Sequence, residues 1–315
     1  MAVHYLEFEK PIADLEAKIE ELNLLSSTSG SFDAEVEGLR KKAAQLRRKT
    51  YADLDPWMKT QVARHPQRPH FVDYVEGLFT DFVELKGDRQ FGDDQAILGG
   101  LARFRGQACV IMGHEKGHDT ATRLTHNFGM ARPEGYRKAV RLMDMAEQFG
   151  LPVLTFVDTA GAYPGLGAEE RGQAEAIARS TERGLTLGTP MIATVTGEGG
   201  SGGAIALAAA NRVLMLEHSI YSVISPEGAA SILWRDGARA KDAAAAMKIT
   251  GPDLIDLKIV DRLIPEPLGG AHADPDVAIQ TVGDVVEEEL KALMALSPDA
   301  LRAQRAERFY AIGRF

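Results

Sequence analysis

The sequence predicts an α/β fold: a mainly parallel sheet with helices packed against it. Three observations lead there. From about residue 97 onward, short apolar runs alternate with amphipathic helical stretches, the order that crossover helices impose on parallel strands. The stretch "PEGYRKAVRLMDMAEQFG" (133–150) has the marks of a helix that packs on such a sheet. Pro133 suits its first turn, Gly150 its end, and Ala139, Leu142, Met143, Ala146 and Phe149 form its apolar face. A chain of 315 residues with 45% hydrophobic content is also long enough to bury one large core or two smaller ones.

The elements follow in order. Residues 11–25 place Ile12, Leu15, Ile19 and Leu22 on one face of a charged helix, and "SSTSGSF" (26–32) breaks it. A second helix sets Leu39, Ala43 and Leu46 against "RKK" and "RRK". Together they predict a helical hairpin, an arm over residues 1–50. "RHPQRPH" (64–70) cannot be continuous helix, because each proline restricts the residue before it. The main domain is expected over 51–296. Within it, "AILGGLARF" and "QACVIMG" pair around a turn at Arg105-Gly106. The helix at 133–150, a strand at 152–158, a loop and a helix at 168–187 come next. A strand at 190–196, a glycine-rich stretch and a helix at 203–210 follow. Strands "RVLMLE" and "YSVIS" precede a helix from Pro226 through Trp234. Residues 276–310 carry two helices separated at Ser297-Pro298, the second forming a C-terminal element over 297–315.

The formal net charge of -9 argues against wholesale nucleic-acid binding. The single cysteine, Cys109, rules out an intrachain disulfide and a cysteine-based zinc site, and its apolar surroundings read as a buried small hydrophobe. The N-terminus lacks a signal-peptide core, and no run approaches about 18 apolar residues. A cytoplasmic location with no membrane contact is expected.

The stretch "VTGEGGSGGAIAL" (195–207) fits three templates. Gly197, Gly199 and Gly202 spell the dinucleotide fingerprint of an NAD-binding dehydrogenase, with Glu217 placed for a ribose. Against this, at least two crossover units precede it, and Gly200 and Gly203 are superfluous to that pattern. Gly199, Ser201 and Gly203 spell a serine-hydrolase elbow with Ser201 as nucleophile, Asp253 or Asp261 as acid and His272 as base. Here "GGAHADP" reads as loop, and nothing fixes His272 near Ser201. Read physically, successive glycines at a helix start present unshielded N–H groups to an anion or to an oxygen gaining negative charge. A nucleotide P-loop is excluded by its missing lysine and hydroxyl. The loop "DTAGAYPGLGAEERG" (158–172) also follows a strand, so the two loops are expected to share one crevice. Upstream, "HEKGH" (114–118) satisfies a zinc pattern through His114, Glu115 and His118. It follows a strand directly and Gly113 and Gly117 discourage helix, so no metal is expected.

Three long stretches carry a resemblance: "RPEGYRKAVRLMDMAEQFGLPVLTFVDTAGAYPGLGAEERGQAEAIARS", "TGEGGSGGAIALAAANRVLMLEHSIYSVISPEGAASILWRD" and "LIPEPLGGAH". With the opening "LEFEKPIADLEAKIEEL" and "ARHPQRPHFVDYV", they make the chain resemble, end to end, the alpha subunits of bacterial acetyl-CoA carboxylase carboxyltransferase. The resemblance implies a crotonase-like fold of ββα units wound into a spiral, with the helical hairpin as an N-terminal extension. It implies transfer of a carboxyl group from carboxybiotin, held on a separate biotin carboxyl carrier protein, to acetyl-CoA, giving malonyl-CoA for fatty-acid synthesis. By the family mechanism Gly202 and Gly203 supply backbone N–H groups to the biotin ureido oxygen. Gly199 and Gly200 shape the approach, and Gly161, Ala162, Tyr163, Pro164 and Gly165 form the pocket loop. Biotin freed of CO2 is the base in that mechanism, so no catalytic carboxylate is needed and Glu198 is expected to be structural. The implied partners are a beta subunit in an α2β2 assembly, the carrier protein, and biotin carboxylase in the full ATP-using complex. Two departures stand out: Ala160 where the family pattern has proline, and a stretch 116–130 less basic than usual.

Overall fold

Strand alternation decides the architecture. In the computed structural model, which describes residues 4–29 and 32–314, eight strands form one sheet. They are β1 (Phe79–Glu84), β2 (Ile97–Phe104), β3 (Gln107–His114), β4 (Val153–Thr159), β5 (Met191–Gly200), β6 (Arg212–Leu216), β7 (Ile220–Ser222) and β8 (Arg262–Ile264). Their order is β1-β2-β3-β4-β5-β6-β8, with β7 paired to the end of β5. The first three are antiparallel, and β3 through β8 run parallel. Because successive side chains leave a strand on opposite faces, odd and even positions feed two different cores. Val110, Met112, Val153, Val157, Ala193, Val195, Val213 and Met215 face one way, against the Pro133–Phe149 and Ser201–Ala208 helices. Cys109, Ile111, Leu154, Phe156, Ile192, Leu214 and Leu216 face the other, against the Phe71–Leu78 and Pro275–Met294 helices. A sheet covered on both faces needs such apolar runs.

Several expected elements are present as read. Arg105 and Gly106 adopt φ values of 47° and 88° between Phe104 and Gln107, the two-residue turn that suits a hairpin's twist. The Pro133–Phe149 helix ends on Gly150 in the left-handed region, with Ala139, Leu142, Met143 and Ala146 fully buried. Phe149 departs from the expected face: it is 65% exposed, because the helix ends there and turns its last side chain outward. The helix expected over 168–187 is two, Leu166–Glu169 and Gln173–Thr186, interrupted at Gly172 with φ 80°. "YSVIS" is strand only through Ser222, since Ser222 Oγ donates to the Ile224 carbonyl and Ser225 caps the Pro226–Trp234 helix. Strand β1, strand β8 and the Phe71–Leu78 helix have no counterpart in the sequence reading. Of the arm, Lys10–Ser29 and Asp33–Ala52 are helices. The first continues through 26–29, where a break is expected, and residues 30 and 31 lie outside the described residues. Among the described residues no helix is long and apolar enough to cross a membrane.

Two buried arginines tie loops to this frame. Arg305, fully buried on the Pro298–Ala311 helix, donates to the carbonyls of Leu187 (2.6 Å) and Thr189 (3.1 Å) and to Asn211. Arg68, in the proline-flanked "RHPQRPH" loop, reaches the Thr196 carbonyl at 2.8 Å and pairs with Glu266 at 2.8 and 2.9 Å. Burial opposes the Glu266 charge, yet the Arg68 guanidinium outweighs it and holds the carboxyl down to about 2. A depressed carboxylate contributes stability above its unfolded pKa of about 4.3 and loses it as pH falls toward 2. Arg68→Ala strands that buried carboxylate, so it is expected to cost about 3–5 kcal/mol in urea unfolding at pH 7. Its stability should also lose the wild-type fall between about pH 4.3 and 2; an unshifted midpoint at pH 7 contradicts the assignment.

Candidate active site

The carboxyl ends of β4 and β5 deliver both glycine-containing loops to one place. β5 runs further than expected, through Gly200 rather than ending at 196, because Glu198, Gly199 and Gly200 pair in parallel with Ile220, Tyr221 and Ser222. Gly197 and Gly199 therefore lie inside a strand, where they cannot form the phosphate-binding turn of a dinucleotide site. The helix begins at Ser201, two residues earlier than read, and runs to Ala208. Ser201 itself makes the strand-to-helix corner at φ 52°, a conformation that costs a non-glycine residue roughly 1–3 kcal/mol. A helix that begins there leaves the N–H groups of Ser201, Gly202 and Gly203 without intrahelical acceptors. Ser201 is exposed, Gly202 half-buried and Gly203 buried.

The two loops touch through bare backbone. A Cβ on Gly200 would stand 2.2 Å from the Ala160 carbonyl oxygen, and one on Gly203 would stand 2.8 Å from the Gly161 carbonyl carbon. Gly202 is roomier, its nearest neighbour being Ile177 at 3.4 Å. Across the gap, Gly161 has φ 150°, and its N–H is held by Thr159 Oγ1 at 3.1 Å. Ala162 and Tyr163 are half-buried and Pro164 is exposed, with Gly165 pressed against the Tyr163 ring. Tyr163 N donates to the Ala131 carbonyl at 2.9 Å, its own carbonyl accepts from Gln173 Nε2 at 2.9 Å, and Arg132 lies 4.8 Å over its ring. Arg171 ties the far end of the loop to Glu134 at 2.6 Å. Ala160 is exposed at the corner.

Charges around the loops are paired. Glu198 is buried and accepts from Arg64 Nε and Nη2 at 2.9 and 2.6 Å, and Arg64 also donates to Glu227 at 2.6 Å. Burial opposes the Arg64 charge, but Glu198 and then Glu227 raise its pKa above the ordinary arginine value. Asp158 accepts the Glu198 N–H at 2.8 Å and pairs with Lys116 at 2.5 Å. The sequence reading passed over Arg64, Asp158 and Lys116. The available signal was Glu198 itself: an acid amid buried glycines requires a cation, although nothing in the chain order says which.

The competing motifs do not assemble. His272 stacks on His65 at 3.6 Å, and burial, then His65, bring its pKa down to about 3. Asp253 is engaged by Thr250 and Lys248, and Asp261 by Arg308 and the Val213 N–H. Glu217 accepts the Glu266 N–H. Of "HEKGH", His114 ends β3, fully buried, and burial lowers its pKa to about 4. Glu115 and His118 instead join His70, with candidate ligand atoms within 4.8 Å of one another. The His70 and His118 rings stack at 4.3 Å and 15°. In this arrangement the in-plane lone pairs of the two nearly parallel rings do not converge on one point.

The mixed sheet, with strand ends that present backbone amides between paired loops, is a crotonase-type fold, and solved structures share it. A Pseudomonas malonate decarboxylase hetero-tetramer in complex with coenzyme A superposes with a TM-score of 0.60 at 17% identity, covering 76% of this chain and 94% of that one. Transcarboxylase 12S superposes at 0.56 and 18% identity over 70% of this chain and 41% of that one. The P. aeruginosa geranyl-CoA carboxylase beta subunit gives 0.55 and 17% over 79% and 46%. The chain belongs to the acetyl co-enzyme A carboxylase carboxyltransferase-like family, whose model matches residues 5–313. The acetyl-coenzyme A carboxylase carboxyl transferase subunit alpha of Caulobacter sp. (strain K31) is 76% identical, covering 100% of this chain and 99% of that protein. The subunit of the same name from Phenylobacterium zucineum (strain HLK1) is 70% identical over the same shares.

The backbone contact is open to a stability test. Gly200→Ala forces its methyl into the Ala160 carbonyl, whereas Gly202→Ala meets only ordinary contacts. The first is expected to cost about 1–3 kcal/mol more than the second in thermal unfolding; equal melting temperatures contradict the packing described.

Proposed function

We propose that this chain is the alpha half of a carboxyltransferase that acts with a beta subunit, moving a carboxyl group from carboxybiotin on a carrier protein to acetyl-CoA. The product, malonyl-CoA, feeds fatty-acid synthesis. The observation that carries the reading is the first turn Ser201–Gly203, whose N–H groups start a helix with no side chain on Gly202 or Gly203 to shield them. Carboxybiotin supplies the carboxyl group and, once CO2 has left, the base for the acetyl methyl proton. The residues present fit it: amide donors, an apolar cavity beside Gly202, and neighbouring acids already matched by cations.

Gly202 and Gly203 donate their N–H groups to the ureido oxygen as it gains negative charge, and the helix dipole adds partial positive charge there. Gly199 and Gly200 keep side chains out of the approach, and Gly161–Gly165 form its wall. Arg64 matches the Glu198 carboxylate, which would otherwise oppose that developing charge. A single amide cradle makes half a site, and the thioester oxygen of acetyl-CoA requires another, assigned to the beta subunit in an α2β2 assembly. The names of the curated relatives, subunit alpha, and the hetero-tetrameric decarboxylase neighbour support such an arrangement.

The purified chain alone is expected to form no malonyl-CoA, and activity should appear on mixing with its beta subunit; turnover by the chain alone would overturn the half-site assignment. In the mixed complex, Gly203→Val should lower kcat on the order of 10²–10³-fold. Glu198→Gln should cost far less, and the reverse order of loss would defeat the assignment of the amides.

A further inference from the structure

Among the described residues, one group of His, Cys, Asp and Glu side chains brings three donors together. They are His70, Glu115 and His118, one donor atom from each lying within 4.8 Å of the other two. This is not the set that "HEKGH" spells, since His114 is buried at the end of β3 and His70 replaces it from just before the Phe71–Leu78 helix. His70 is only 5% exposed, yet among the described residues its Nδ1 has no hydrogen-bond partner and faces Glu115 Oε1 at 3.4 Å. A buried ring nitrogen left without a partner costs stability, which an added ligand would recover. The Glu115 carboxylate is already oriented: Oε1 accepts the Gly117 N–H at 2.7 Å and Oε2 the Val72 N–H at 3.1 Å. Both amides belong to the segments that carry the two histidines.

His118 is the adjustable member. Half of its side chain is exposed, and it borders a cavity of about 910 Å³ through which an ion can enter. The stacked rings do not aim at one point as they stand, but rotation of His118 about its side-chain bonds re-aims its nitrogen without moving buried His70 or Glu115. Asp73 Oδ2 stands 3.5 Å from His118 Nε2, a carboxylate beside the ring as metal-bound histidines commonly have. Two imidazoles and one carboxylate, with a position left for water, suit a borderline divalent ion of the zinc kind better than magnesium or calcium. The nearby cations do not oppose it strongly, since Lys116 is matched by Asp158 and Arg123 Nε donates to the Gly117 carbonyl.

We infer that His70, Glu115 and His118 bind a divalent transition-metal ion of the zinc type, which clamps the 115–118 loop to the start of the Phe71–Leu78 helix. Lys116 lies between two of the ligands and pairs with Asp158 at the end of β4, so the clamp fixes one wall of the crevice. The inference stands apart from the reading of Gly202 and Gly203, and neither needs the other.

The test uses the full chain, stripped of metal by a chelator, with Zn2+ alone as the probe. Calorimetry is expected to show one strong site per chain. His118→Ala removes a half-exposed side chain and should fold normally while weakening that site at least about tenfold. Glu115→Gln should weaken it by a similar factor. His4→Ala, in the separate cluster of His4, His65 and His272, should leave it unchanged. Zn2+ should raise the melting temperature of the wild type and not that of His118→Ala, and Co2+ should give the visible absorption of a tetrahedral site in the wild type alone. No binding by the wild type overturns the inference, as does equal binding by His118→Ala. Loss of the site in His4→Ala instead would place the ion elsewhere and overturn it equally.

Discussion

The site depends on two stretches of backbone meeting with nothing between them. Ala160–Ala162 at the end of β4 lies directly against Gly200–Gly203 at the end of β5. That contact is possible only because the parallel register sets Thr159 beside Gly199, with an irregularity just before it. The register is held by strands buried on both faces, where a slip of one residue would exchange the two cores. Two apolar clusters on opposite sides of the sheet therefore fix the distance between two loops that carry almost no side chains of their own.

Charge is arranged to leave those loops alone. Arg64 spans Glu198 on β5 and Glu227 on the Pro226–Trp234 helix, Lys116 answers Asp158, and Arg171 answers Glu134. Arg64, Lys116 and Asp158 line a cavity together with Ala160, but as matched pairs rather than as free charges. The N–H groups at the helix start are peptide dipoles whose direction the fold fixes.

Much of this was legible in the sequence because it is written in periodicity and in glycine. The Pro133–Phe149 helix, the Arg105-Gly106 hairpin and the joining of two strand-end loops follow from spacing, caps and turn residues. The extension of β5 to Gly200 was not legible, because it depends on β7 arriving from 22 residues further along to pair with glycines that have no strand preference of their own. Strand β1 was missed for a related reason: it is an edge strand with a register shift between Thr80 and Val83, and its side chains do not alternate cleanly. Three-residue β8 carries too short a pattern to read. The partners of Glu198 and Asp158 lie 134 and 42 residues away in the chain, a separation that no local pattern encodes.

The crowding at Gly197, Gly200 and Gly203 limits what those positions can hold. A methyl group at these positions would collide with the Asp158 carboxylate, the Ala160 carbonyl and the Gly161 peptide respectively. Packing by itself therefore disfavours any larger residue at all three positions.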